Sequence, residues 1–211
     1  MTLARFYSRS FAIGFLAILA LAPAARADLL YQLTDDGCTG GCGPQVSFGQ
    51  VDLHTVSATE VAVTVTLFNG NEFVDTGVHN ALTFNVDDGT ATVAPLTTGF
   101  TNSTSTNNPP FGTFGYALAC TGCGPGGSSP LPGPLVVDVS RASGLAPSDF
   151  IANSGGFFFA ADIISGTTGK TGAVAASGLA AVPEPNFYAI LALMMVGVLW
   201  VAKREWTAHR E

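Results

Sequence analysis

The chain has 211 residues, 15 acidic against 8 basic, for a formal net charge of −7. The basic residues gather toward the two ends, and between residues 28 and 182 only Arg141 and Lys170 oppose twelve Asp and Glu. That balance argues against nucleic acid as a partner, because phosphate binding needs the opposite sign, and it fits an extracellular surface tolerant of divalent cations.

Residues 1–27 have the three parts of a secretory signal peptide. Arg5 and Arg9 give a positive start, Phe11 to Leu21 an apolar run, and Ala25-Arg26-Ala27 a small-x-small cleavage site with a mature start at Asp28. The apolar run is too short for a permanent anchor. Removing this segment and the carboxyl-terminal one described below leaves residues 28–182, about 155 residues, enough for one domain with a real core.

The body is predicted to be mainly β. Val46 and Phe48 alternate, then Val51 and Leu53 continue in the opposite parity, so a bulge is expected at Gly49-Gln50. Val61, Val63, Val65 and Leu67 alternate with Ala62, Thr64, Thr66 and Phe68, the period-two pattern of a half-buried strand. Leu82, Phe84 and Val86 repeat it, as do Leu135, Val137 and Val139. Phe157 to Ile164 is apolar on both faces, which places it centrally in its sheet. Asn69-Gly70-Asn71 and Asp87-Asp88-Gly89 are turn signals. The tract 98–110 and the Gly/Pro-rich stretch 120–134 are too long for simple hairpins and are expected to be functional or disordered. Short strands at regular spacing point to a single jelly-roll-like β-sandwich, with a barrel or solenoid as the alternative.

Four cysteines lie in the body as two tight pairs, Cys38/Cys42 and Cys120/Cys123, inside a local echo (CTGGCGP and CTGCGP). Outside the cytoplasm the default is two disulfides, with three connectivities open. A crossed pairing would close a loop of about 80 residues and stabilise by about 4 kcal/mol on the entropic model; local pairs would contribute less. Four-thiolate zinc and a redox Cys-x-x-Cys are the sharper alternatives.

Catalytic signals are thin. His54 and His79 are the histidines of the body, and His79 follows Asp75, but there is no G-x-S-x-G elbow and no His-Glu-x-x-His pair. No catalytic residue and no cofactor are assigned. Asp35-Asp36 and Asp87-Asp88 read as turn carboxylates; as calcium ligands they lack alternating spacing. Asp162 interrupts an apolar strand, so it either faces solvent at a strand end or is buried against Lys170 or Arg141; the first is favoured. Phe157 to Phe159 are expected to be core rather than a sugar-stacking row.

The end of the chain carries the most specific signal. Pro183-Glu184-Pro185 precedes an uncharged run from Phe187 to Ala202, followed by Lys203-Arg204. At ~1.5 Å per residue the run covers roughly 24 Å as a helix, a short membrane span that Lys203, Trp200 and Trp206 would anchor at the interface. This ordered pattern resembles the PEP-CTERM sorting signal of bacterial surface proteins. The basic cluster is thinner than the family's, being diluted by Glu205. The resemblance implies cleavage near the motif by an exosortase, after signal peptidase has acted at the other end, and a mature protein associated with exopolysaccharide. The expected function is a non-enzymatic structural component of the cell surface or biofilm matrix. A carbohydrate-binding module presenting Phe100, Phe111, Phe114 or Tyr116 is the alternative, and an extracellular hydrolase has least support.

Overall fold

The computed structural model describes residues 28–88 and 90–180, together with Gly197. The signal-peptide segment, the PEP motif and the apolar run, Gly197 apart, lie outside the described residues. Among those described, no helix is long and apolar enough to cross a membrane.

The described body is mainly β. Its strands are Leu29–Leu33 (β1), Asp35–Asp36 (β2), Gly49–Ser57 (β3), Glu60–Leu67 (β4), Glu72–Phe73 (β5), Leu82–Phe84 (β6), Thr92–Pro95 (β7), Phe100–Asn102 (β8), Tyr116–Cys120 (β9), Leu135–Ser140 (β10), Phe159–Ile164 (β11) and Thr171–Ala176 (β12). All pair antiparallel, in two sheets. One sheet has the order β1-β3-β4-β10-β7. The other runs β2-β12-β11-β6-β9-β8, with β5 also on β11.

The first sheet follows from its alternation. In β4, Val61, Val63 and Val65 are buried while Ala62, Thr64 and Thr66 are half-buried. In β10, Leu135, Val137 and Val139 show the same pattern, with Val137 opposite Val63. The bulge, however, is not at Gly49-Gln50. The β3–β4 ladder runs in register from Gly49 to Thr55 and shifts between Thr55 and Ser57. The parity change is absorbed ahead of the strand. Phe48 turns inward with its N–H on the Leu33 carbonyl (2.8 Å), and Val46 is left 91% exposed. Gly49 makes this packing feasible, since a Cβ there would stand 2.6 Å from the Thr66 carbonyl oxygen.

β11 is central, as its two apolar faces predict. Phe159 to Ile163 are buried, with β12 on one side and β5 and β6 sharing the other. The inner faces of both sheets supply one core. Its aromatic centre is Phe159, with ring centroids 5.1 Å from Tyr31, 6.0 Å from Phe150 and 6.2 Å from Phe84. The chain passes between the sheets repeatedly, and two of these passages, from β1 to β2 and from β7 to β8, link an edge strand of one sheet to an edge strand of the other. At the first crossing the Thr34 N–H bonds the Ala175 carbonyl at 2.9 Å.

The outer face of the seven-stranded sheet is also covered. Small residues Ala160, Ala173 and Ala175 pack beneath Phe111 and Phe114, with Phe157 beside them. The polar tract 98–110 is therefore structured: it contributes β8 and leads into a strap, residues 106–114, that carries those two rings. Thr83 is buried under it, with its hydroxyl on the Ala160 carbonyl.

Candidate functional site

The chemistry of the fold concentrates where one strand is broken. β5 pairs Phe73 with Ile163 and β6 pairs Phe84 with Phe159, so residues 74–81 leave the sheet between two fragments that share one neighbour. Such an excursion leaves backbone groups without ladder partners, and each must be satisfied if buried. Asp162, at the gap, does this three ways. Its carbonyl accepts from Val74 N–H and its own N–H donates to the Asn80 carbonyl, both at 3.1 Å. Its side chain, 0% exposed, accepts at Oδ2 from the Thr76 N–H (2.6 Å) and the Thr76 hydroxyl (2.7 Å). The solvent-facing position favoured from sequence is thus wrong, and neither Lys170 nor Arg141 is the partner.

The counter-charge is His79. Its Nδ1 lies 3.5 Å from Asp162 Oδ1, an ion-pair distance, and no closer group meets that oxygen. The Asp162 carboxylate beside the ring raises the His79 pKa most; burial opposes this, and the charge of Asp75 reinforces it. Asp75 accepts from the Cys120 N–H at 3.2 Å, and burial moves its carboxyl upward in spite of that bond. A His–Asp pair with a nearby hydroxyl invites comparison with a hydrolytic triad. Here the hydroxyl is Thr76, 3.3 Å from Nδ1, and its proton goes to the Asp162 carboxylate rather than to the imidazole. This geometry holds a loop in place; it does not activate a nucleophile.

The cysteines close locally, Cys38 with Cys42 and Cys120 with Cys123. Both loops lie at the end of the seven-stranded sheet where β11 turns into β12. Asp36 caps the first loop, accepting from Cys38 N–H (2.9 Å) and Cys42 N–H (2.8 Å). The cluster of Asp36, Cys38 and Cys42 thus offers no thiolate to a metal. Local loops constrain the unfolded chain modestly, about 2 kcal/mol each on the entropic model. Reduction should therefore lower the unfolding free energy by that order per bond and leave the protein folded; collapse of the β signature on adding reductant would show that the bonds do more.

The other carboxylate pair is equally occupied. Asp87, Asp88 and Asp149 surround the Arg141 guanidinium, which also donates from Nε to the Gly144 carbonyl at 2.6 Å. Asp88 caps Thr90, whose N–H and hydroxyl hold its pKa down together with Arg141. His54 is an exposed partner of Asp28 at 3.0 Å.

Sugar-stacking positions are not where the sequence placed them. Phe100, Phe111 and Phe114 are buried, and Tyr116 is half-buried, stacked on Phe84 with its hydroxyl accepting from Ala91 N–H. A surface groove of about 800 Å³ lies beside Gln45, Val46, Phe68 and Asn69. Its amides bond one another: Gln45 Oε1 accepts from Asn69 (3.0 Å) and Asn71 (3.1 Å), and Gln45 Nε2 reaches the Cys42 carbonyl (3.2 Å). They pin the first disulfide loop to its neighbouring turns. Set against known proteins, the chain matches no family model, no curated protein and no solved structure.

Proposed function

We propose that this is an exported protein of the bacterial cell surface or exopolysaccharide matrix, sorted by a PEP-CTERM signal and cleaved by an exosortase, with a non-enzymatic structural role. The body, residues 28–182, is read as a jelly-roll-like β-sandwich ectodomain, and residues 187–202 as a membrane span that is temporary. The observation that carries this reading is the pairing of all four cysteines as disulfides, which persist in oxidising compartments. The thin catalytic signal supports the structural role: the buried Asp162 and the half-buried His79 are engaged in holding loops.

Fractionation of cells that encode the exosortase tests the sorting. The chain should reach the surface or matrix fraction. Replacement of Pro183, Glu184 and Pro185 by Ala should leave it in the membrane fraction. Equal delivery of both forms would refute the signal.

A further inference from the structure

We propose that the groove beside Phe68 binds a neutral saccharide, stacking a sugar ring on Phe68 and holding its hydroxyls with the amides of Gln45 and Asn69. Phe68 is half-buried, and among the described residues it is the aromatic side chain that belongs to neither apolar cluster. The rings expected from sequence to stack on sugars are packed into the body; this one lines a groove instead. Beside it stand amides that are already aimed. Asn71, 4% exposed, accepts from the Gly166 N–H (3.0 Å) and donates to the Phe48 carbonyl (3.0 Å) and to Gln45 Oε1 (3.1 Å). Those bonds fix which way the Gln45 amide faces, with Nε2 toward Thr167 Oγ1 (3.4 Å). Among the described residues Asn69 spends one N–H, on Gln45 Oε1 (3.0 Å), which leaves its second N–H and its Oδ1 for a ligand. A site set in advance by a buried residue loses little freedom on binding.

The chemistry of the lining selects the ligand class. Gln45, Asn69 and Thr167 offer amides and a hydroxyl, Val46 and Phe68 offer apolar surface, and none of the lining residues is ionisable, in a body with twelve acidic side chains. A charged ligand would find no counter-charge there, and a wholly apolar one would strand the polar groups. A sugar ring has both characters, hydroxyls around its edge and C–H groups on its faces, and an aromatic face suits the latter. An extended peptide recognises a free sheet edge, but the lining segments lead into β3 and out of β4, each flanked by strands on both sides. The groove therefore fits a neutral glycan. This rests on the matrix reading for where such a glycan is met.

Titration calorimetry of the full chain tests this with hexasaccharides of α-glucan, β-glucan, β-mannan and β-galactan, beside an oligouronate of equal length and an uncharged hexapeptide. At least one neutral hexasaccharide should bind with a Kd of about 1 mM or tighter. Phe68→Leu keeps an apolar side chain without the ring face and should weaken that binding about tenfold. Asn69→Gly removes the amide but keeps the positive φ of the turn (55°), and should weaken it about fivefold. The oligouronate should bind more weakly by about tenfold or more. Absence of neutral binding in that range, equal binding of the oligouronate, tighter binding of the peptide, or neutral binding that both variants retain overturns the assignment. If Phe68→Leu does not fold, Asn69→Gly decides alone, and undiminished binding refutes the site. Delivery to the surface is read separately by fractionation, so a chain that is sorted but binds no sugar refutes the groove and leaves the sorting standing.

Discussion

Replacing Asp162 by Ala should destabilise the body by about 3–5 kcal/mol, the usual cost of removing one partner from a buried ion pair. The substitution leaves the Thr76 N–H without its acceptor and His79 without its counter-charge. Against a typical total of about 5–15 kcal/mol, that is enough to unfold much of the population. Asp162→Asn should cost less, because an amide oxygen can still accept from Thr76. The difference between wild type and Asp162→Ala should also depend on pH. The folded pKa of His79 is raised, so its contribution is complete below the ordinary imidazole value of about 6.5. It is lost as pH rises through the raised value. The gap between the two proteins should therefore narrow toward alkaline pH. Urea unfolding at acid and alkaline pH measures this; a gap that widens with pH would reverse the sign of the account.

Phe159→Ala is the second large effect, also about 3–5 kcal/mol. Phe159 is 0% exposed and its ring stands between Tyr31, Phe84 and Phe150, so truncation leaves a cavity walled by rings from both sheets. Aromatic pairs at these separations contribute beyond their buried area, and near-ultraviolet dichroism should weaken with the stability. Val46→Ser is the control. Val46 is 91% exposed, and its replacement should change stability by no more than about 0.5 kcal/mol. A Phe159→Ala loss as small as that would mean the two sheets do not share the core described.

The strands were legible where a single face is buried. β4 and β10 alternate over whole strands because one face meets the core and the other does not. Alternation failed at Thr83, which looks solvent-facing but lies under the strap. Phe111 and Phe114, two rings next to a polar tract, were the available sign that this segment folds back onto the body. Asp162 was recognised as unusual, yet its partner was not, because His79 belongs to an excursion whose position depends on β5 and β6 sharing β11. Nothing in the local pattern around residue 79 reports that pairing. The cysteine count gave the number of disulfides but not their pairing, which depends on Asp36 and β12 holding the first loop against the sheet edge. Of the turn carboxylates, the sequence reading of Asp87 and Asp88 stands, with Arg141 added as their shared partner.

The central claim is that a disulfide-closed body is delivered outside and separated from both of its terminal segments. Intact-mass analysis of the chain recovered from the cell surface, with and without reduction, tests it most directly. The expected species begins at Asp28, ends close to the Pro183-Glu184-Pro185 motif and gains four hydrogens on reduction. A surface species that still contains Trp200 and Trp206, or one whose mass is unchanged by reductant, would contradict it.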